Sequence, residues 1–210
     1  MTDVIDQQAF HYSNNEEPKL LCEEVELSDL AREFGTPLYV YSKKQIIQNF
    51  CSFDETLKSS GKEHYVSYAV KANSNIELLK LLAEEGSGAD VVSAGELLAA
   101  LAAGFDPEKI TFDGTGKTDA EIELALKANI HAFNVESIEE ISVINEIAER
   151  LGSMSDRPIR AKVSIRVNPD VDAKSHPYIS TGMKENKFGI DMENAREAFL
   201  YASKQPALEV

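Results

Sequence analysis

The feature that most constrains the fold is a strict alternation of short apolar runs with amphipathic stretches, which begins after Thr36. Runs such as HYVSYAV, ADVVS and KITFD have the composition of strands that a parallel sheet buries on both faces. The stretches between them repeat apolar residues at helical spacing, as Leu79, Leu82 and Ala83 do. This alternation predicts a parallel α/β fold, either an open doubly wound sheet or a closed (β/α)8 barrel of the TIM type.

The first 35 residues depart from this alternation and predict a separate segment, residues 1–35, ahead of a barrel part at residues 36–210. The run FHYSNNEEPKLLCEEVEL surrounds a polar turn and predicts a short hairpin or two edge strands. The run SDLAREFG follows and predicts a short helix, with Ser28 as its N-cap and Gly35 as its stop. We expect the run LYVY to form the first strand after this segment.

The length of the chain bears on how complete a barrel it can form. The 210 residues hold about six strands after Thr36, and the final run ALEV starts another. A closed eight-stranded barrel typically needs about 250 residues. We therefore expect an incomplete barrel that belongs to a longer chain.

Composition excludes several classes of partner. A formal net charge of -15 argues against nucleic acids and anionic membrane surfaces, because both need clustered cations. No apolar run approaches the roughly 20 residues of a membrane-spanning helix. The start MTDVIDQQAF lacks the features of a signal peptide, and two cysteines without a CxxC pair suit a reducing compartment. We expect a cytoplasmic protein.

Polar side chains collect where the predicted strands end. In parallel α/β folds the chemistry lies beyond the carboxyl ends of the strands. Besides Lys71, the polar residues at these ends are Asp90, Ser93, Glu96, Asp113, Asn134, Glu136, Arg166 and Asn168. Each of them, taken alone, could instead be a helix cap or a solvated loop residue. Together they predict one site at a common edge of the sheet.

Lys71 stands out because it directly follows the apolar strand YAV. Burial there would favour its neutral amine, the form that makes a Schiff base with a carbonyl compound. The alternative is a lysine that merely reaches solvent.

Two other motifs do not define sites. The run DGTGKT resembles the end of a phosphate-binding P-loop, but Thr111 stands where the first glycine of that motif would be. Lys117 and Thr118 therefore predict a turn and a helix N-cap. The four histidines show no metal-ligand spacing, and no metal is expected.

Several long motifs resemble the diaminopimelate decarboxylase family, from about Phe10 to Val210. They are GTPLYVYS, YAVKANSN, GADVVSAGEL, FDGTGKT, FNVES, VSIRVNPDVD and HPYISTGMKENKFGI. This family consists of pyridoxal 5'-phosphate (PLP) dependent decarboxylases with an alanine-racemase-like barrel. The resemblance implies that residues 1–35 belong to a β-domain and residues 36–210 to the PLP-binding barrel.

The resemblance also implies roles for individual residues. Lys71 matches the lysine that forms a Schiff base with PLP, and Asp90 matches an aspartate of the cofactor pocket. Arg166 matches an arginine that faces the cofactor ring near its phenolic oxygen. Ala69 matches a small residue that lets the ring approach the strand. The stretches His176 to Gly182 and Lys187 to Gly189 match a family signature near the mouth of the site, without individual roles.

The implied reaction is decarboxylation of meso-diaminopimelate to L-lysine and carbon dioxide, the last step of lysine biosynthesis. A related decarboxylase of ornithine, arginine or carboxynorspermidine remains an alternative, because the residues that select the substrate lie mostly outside this sequence. A second alternative is a single-domain PLP-binding barrel without enzymatic activity. The family also implies a homodimer. Several essential parts of the family lie beyond residue 210: the histidine that stacks on PLP, the phosphate-binding loop and the acidic partner of the pyridine nitrogen. The resemblance therefore implies that residues 1–210 are not an active enzyme by themselves.

Overall fold

The computed structural model describes residues 9–169 and 188–210, which form two compact units. The first unit ends at Val66 and the second runs from Ser67 to Val210. The boundary predicted between residues 35 and 36 concerns the domains of the complete protein and stays a prediction. No helix in the described ranges is long and apolar enough to cross a membrane.

The first unit combines a small antiparallel sheet with two helices. Its strands are β1 (Phe10–Tyr12), β2 (Leu20–Cys22) and β3 (Val25–Glu26), paired in that order. Its helices are α1 (Leu27–Phe34) and α2 (Lys43–Lys58). The hairpin predicted around the polar turn is thus confirmed, and β3 extends it by one strand.

Two local predictions in this unit are wrong. The run LYVY, residues 38–41, forms no strand, because it has no ladder partner among the described residues and leaves Tyr39 87% exposed. Ser28 is not the N-cap of α1, because the helix starts directly after β3, and Glu26 takes the cap position. Ser28 therefore already lies in the first helical turn.

The second unit is built on a parallel sheet. Its strands are β4 (Ser67–Ala69), β5 (Gly88–Val91), β6 (Ile110–Phe112), β7 (Ala132–Val135), β8 (Ala161–Ile165), β9 (Val167–Asn168), β10 (Ile190–Asp191) and β11 (Leu208–Glu209). Six of them form one sheet in the order β4-β5-β6-β7-β8-β11, while β9 and β10 form a separate parallel pair. Each strand of the large sheet lies beside its predecessor, without the reversal of order that defines a doubly wound sheet. This is the topology of a (β/α)8 barrel that is incomplete here, and it confirms the predicted fold class.

Helices follow the strands of this sheet as the sequence predicts. They are α3 (Ile76–Glu84), α4 (Ala94–Ala103), α5 (Asp119–Ala128), α6 (Ile138–Ser153) and α7 (Met192–Ala202). Their buried faces carry the predicted apolar residues, such as Leu79 and Ile122, which are fully buried. In the sheet, Phe112 and Phe133 stack with ring centroids 6.2 Å apart.

A repeated Ser/Thr-x-x-Glu motif starts the three central helices. The pairs are Ser93–Glu96 in α4, Thr118–Glu121 in α5 and Ser137–Glu140 in α6. In each pair the hydroxyl oxygen accepts a hydrogen bond from the backbone N–H of the glutamate. Only α5 forms a reciprocal capping box. In α4 and α6 the glutamate instead accepts from the residue before the cap, and this fixes the turn between strand and helix.

Asn145 on the buried face of α6 connects this helix to the start of β11. Its Oδ1 accepts a hydrogen bond from the backbone N–H of Ala207 at 3.1 Å, and both residues are buried. We expect Asn145→Ala to lower the free energy of unfolding by about 1–3 kcal/mol, because a buried N–H loses its acceptor. Urea unfolding of the complete gene product checks this. Glu146→Ala, at an exposed neighbouring position, is the control, and an equal effect of both substitutions would contradict the expectation.

Candidate active site

Lys71 lies at the carboxyl end of β4, in a 3-10 turn that spans Val70–Ala72. This short turn buries Val70 completely and leaves Lys71 exposed. The position of Lys71 directly after an apolar strand predicts that it is buried. This prediction is wrong within the described residues, where Lys71 is exposed. Ala69, the last residue of β4, is half-buried and adds little bulk beside the lysine.

Asp90 occupies the neighbouring strand, where it pairs in register with Ala69. Its Oδ1 is buried and has no hydrogen-bond donor among the residues that the structure describes. Burial raises the pKa of Asp90, and the nearby Asp113 carboxylate raises it further, whereas the charges of Lys71 and Arg166 oppose the increase. The charges of Lys71 and Arg166 therefore both act on Asp90.

Arg166 lies between β8 and β9, where its backbone N–H donates to Val135 O at 2.9 Å. Its Nη1 donates to Glu136 Oε1 at 3.0 Å and lies 3.6 Å from Asp113 Oδ1. The structure therefore brings three of the predicted residues, Asp90, Asp113 and Glu136, into one charged cluster with Arg166. Lys71 follows β4, the strand next to that of Asp90, and its charge acts on the Asp90 carboxyl group.

Three other polar residues predicted at the strand ends, Ser93, Glu96 and Asn134, make local contacts. Ser93 caps α4, and Glu96 accepts from the backbone N–H of Val92 at 2.9 Å. Asn134 Oδ1 accepts a short hydrogen bond from the hydroxyl of Ser164 on the adjacent strand. These contacts shape the edge of the sheet.

Lys117 is a buried residue whose importance the sequence did not reveal. Its side chain is 1% exposed, and its ammonium group donates to Gly114 O at 2.7 Å, Asn134 O at 2.8 Å and Glu140 Oε1 at 2.6 Å. All three ammonium donors are thus satisfied. The predicted turn is confirmed, but only the tertiary structure shows that the lysine points inward. The sequence offered one signal for a partner of Lys117. This was Glu140, an acidic residue at the third position of the helix that Ser137 caps.

Glu140 transmits this buried contact to the charged cluster. While its Oε1 pairs with Lys117, its Oε2 accepts from the backbone N–H of Glu136 at 2.7 Å. Glu136 is itself buried, and its Oε1 is the carboxylate oxygen that binds Arg166. Lys117 and Glu140 therefore hold the backbone that presents the partner of Arg166.

Part of the predicted site falls outside the described residues. His176 to Gly182 and Lys187 lie there, whereas Phe188 and Gly189 are described. Among the described residues no group of three histidine, cysteine, aspartate or glutamate side chains could hold a metal ion.

Comparison with known families gives this arrangement a context. Residues 43–210 match the family model described as pyridoxal-dependent decarboxylase, pyridoxal binding domain. This match covers well over half of the chain. The chain belongs to this family. The PLP cofactor predicted from the sequence is thereby confirmed at the level of the family.

Curated relatives of this pyridoxal-binding domain are full-length decarboxylases. The diaminopimelate decarboxylase of Vibrio cholerae is 46% identical over 200 residues, which cover 95% of this chain and 46% of the relative. That of Neisseria meningitidis serogroup B is 50% identical over 191 residues, which cover 91% of this chain and 44% of the relative. The chain thus spans slightly less than half the length of these relatives.

Solved structures agree with the fold. Diaminopimelate decarboxylase from Helicobacter pylori, complexed with L-lysine, superposes with a TM-score of 0.81 at 48% identity and covers 88% of this chain and 45% of that one. The enzyme from M. jannaschii gives a TM-score of 0.85 at 42% identity and covers 96% of this chain and 46% of that one.

The residues at the carboxyl edge fit a pyridoxal cofactor. A primary amine, Lys71, is accessible there for the carbonyl group of the cofactor, and the small Ala69 leaves space beside it. Asp90 contributes a buried carboxylate oxygen without a donor among the described residues, and Arg166 contributes a fixed guanidinium. The chemistry of this set suits a polar aromatic cofactor that carries donors and acceptors.

The Lys117–Glu140 pair makes a prediction about stability. We expect Lys117→Met to lower the free energy of unfolding by about 3–5 kcal/mol, because it leaves a buried carboxylate and two carbonyl groups without their donor. The matched control is Lys127→Met, which removes a 60% exposed lysine paired with Glu123 on the surface of α5. That change should cost less than about 1 kcal/mol.

Urea unfolding of the complete gene product measures both variants. Equal midpoints and slopes for Lys117→Met and Lys127→Met would show that the buried ion pair does not hold this edge of the sheet.

Proposed function

We propose that the protein decarboxylates meso-diaminopimelate to L-lysine and carbon dioxide with PLP as cofactor. The observation that carries the proposal is the charged cluster of Lys71, Asp90 and Arg166 at the carboxyl edge of a pyridoxal-binding barrel. The supporting comparison is an identity of 46–50% to curated relatives named diaminopimelate decarboxylase.

The residues of this chain would divide the work between them. Lys71 would hold the cofactor covalently through Nζ, and Ala69 would leave room for its ring. Arg166 and Asp90 would flank the ring and orient it by charge and hydrogen bonding. When bound, the cofactor supplies an electron sink for the negative charge that loss of carbon dioxide leaves on the substrate.

The substrate class follows from the relatives and not from the described geometry. Several solved relatives are diaminopimelate decarboxylases, and those from Helicobacter pylori and M. jannaschii have been solved in complex with L-lysine. The structure of a viral arginine decarboxylase is only 21% identical and supports the fold alone. We therefore favour the diaminopimelate branch over ornithine, arginine or carboxynorspermidine, and over a PLP-binding barrel without activity.

Three further features are part of this proposal. We expect the complete protein to be a homodimer, as the family resemblance implies, and to work in the cytoplasm, as the sequence features predict. Because the chain spans less than half of its curated relatives, we expect activity to require more than residues 1–210.

The decisive test is reduction of the complete gene product with borohydride in the presence of PLP, followed by peptide mass spectrometry. We expect a pyridoxyl group on Lys71. Lys71→Ala should lose the label and reduce decarboxylation of meso-diaminopimelate by about a thousandfold or more, as removal of an essential covalent residue does.

Lys80→Ala, which changes an exposed lysine of α3, is the control and should leave both labelling and activity unchanged. A folded protein that takes up PLP but carries no label on Lys71 would contradict the assignment of the lysine. Release of carbon dioxide from ornithine or arginine in preference to diaminopimelate would contradict the substrate.

Asp90 should destabilise the cofactor-free protein, because burial raises its pKa. Between the unfolded and the raised folded pKa, the folded state binds more protons, so stability falls as pH rises through this interval. We expect Asp90→Asn, which resembles the neutral acid, to stabilise the cofactor-free protein at pH 8 and to lose most of this advantage at pH 4. The same substitution should weaken PLP binding.

Urea unfolding at pH 4 and pH 8 measures the expected gain in stability of Asp90→Asn. Titration with PLP measures its expected loss of cofactor binding. Asp156→Asn, in an exposed turn, is the control and should change neither quantity. Loss of stability in Asp90→Asn at pH 8 would show that the carboxylate serves the fold and not the cofactor.

A further inference from the structure

Phe188 and Gly189 lie against Arg166, although they follow it by more than twenty residues in the sequence. The Phe188 ring centroid is 5.5 Å from Arg166 Cζ, which is within the range of a cation–π contact. Ile190, the residue after Gly189, continues the contact, because its backbone N–H donates to Arg166 O at 2.8 Å. This segment therefore binds both the side chain and the backbone of the arginine.

Gly189 makes this close approach possible. Its φ is +92°, and a Cβ atom at this position would lie 2.7 Å from Arg166 O and 3.1 Å from Arg166 Cγ. Real Cβ atoms do not approach a backbone oxygen so closely. Any side chain at residue 189 would thus push the segment away from Arg166, and Phe188 with it.

Two carboxylates hold one nitrogen of the guanidinium. Arg166 Nη1 pairs with Glu136 Oε1 at 3.0 Å and with Asp113 Oδ1 at 3.6 Å. Glu136 is in turn fixed by Glu140 through its backbone N–H. An arginine that is 37% exposed would otherwise lose considerable side-chain entropy when it adopts one position.

We propose that Phe188 and Gly189 are positioning residues, which hold the guanidinium of Arg166 in place for the cofactor. This role rests on the proposed function. Phe188 and Gly189 belong to the stretch Lys187 to Gly189, which matches a family signature but had no individual roles from the sequence. The aromatic ring covers one side of the guanidinium while Glu136 and Asp113 pair with Nη1. The arginine is then preorganised before any ligand arrives, and binding does not have to order it.

The first test compares Phe188→Leu with Phe199→Leu in the complete gene product. Both residues are partly exposed phenylalanines, but Phe199 lies on α7. Titration of the cofactor-free protein with PLP, followed by absorbance, should show a dissociation constant about two- to fivefold higher for Phe188→Leu, the value of one exposed cation–π contact. Phe188→Tyr, which keeps an aromatic ring, and Phe199→Leu should both bind PLP with the dissociation constant of the wild type.

A double-mutant cycle with Arg166→Met separates positioning from a general structural effect. If Phe188 acts through Arg166, Phe188→Leu should add no further loss once the guanidinium is absent. An undiminished loss in the Arg166→Met background would overturn the proposal, as would equal binding by Phe188→Leu and wild type.

Gly189→Ala provides a second variant, with Gly104→Ala as its matched control. Gly104 has nearly the same φ, +94°, but a Cβ atom there would meet nothing within 4 Å. An alanine at either position is strained by the positive φ, and this strain should lower the thermal stability of both variants. Only Gly189→Ala should also weaken PLP binding, because only its Cβ would displace the segment from Arg166. Equal changes in both variants would overturn the proposal.

These readouts do not depend on the substrate. A wild-type protein that binds PLP but leaves meso-diaminopimelate unchanged would overturn the proposed function and still allow the test of Phe188 and Gly189.

Discussion

Parallel pairing of six neighbouring strands is the constraint on which the rest of the second unit depends. It brings the carboxyl ends of all the strands to one edge, so residues far apart in the sequence become neighbours. Ala69 and Asp90 face each other in register on β4 and β5, and Arg166 follows β8. The helices between the strands serve this arrangement, because each returns the chain to the amino end of the next strand.

Consecutive contacts that begin at a buried side chain hold the charged groups at this edge in place. Lys117 binds Glu140, Glu140 holds the backbone of Glu136, and Glu136 pairs with Arg166. A buried ion pair gains little net stability over an apolar pair, but its directional contacts specify one geometry. We interpret the Lys117–Glu140 pair in this way, as an anchor for a turn that carries a candidate binding residue.

Asp90 illustrates how such a site differs from the surrounding core. Its buried Oδ1 has no donor in the described ranges, and burial together with Asp113 raises its pKa. A group of this kind costs the cofactor-free protein stability, and we propose that the bound cofactor compensates this cost. Arg166, in contrast, has a carboxylate partner and an aromatic partner before any ligand binds.

The sequence by itself determined the fold class, most helices and strands, and the edge where polar residues collect. Apolar periodicity and capping residues are local signals, and the positions of Lys71, Asp90 and Arg166 at strand ends follow from them. Only the tertiary structure decided that Lys71 is exposed, that Lys117 is buried and that residues 38–41 form no strand. Burial and strand pairing depend on partners distant in the sequence. For the same reason the contact of Phe188 and Gly189 with Arg166 carried no signal in the sequence pattern, since it exists only once β9 and β10 have paired.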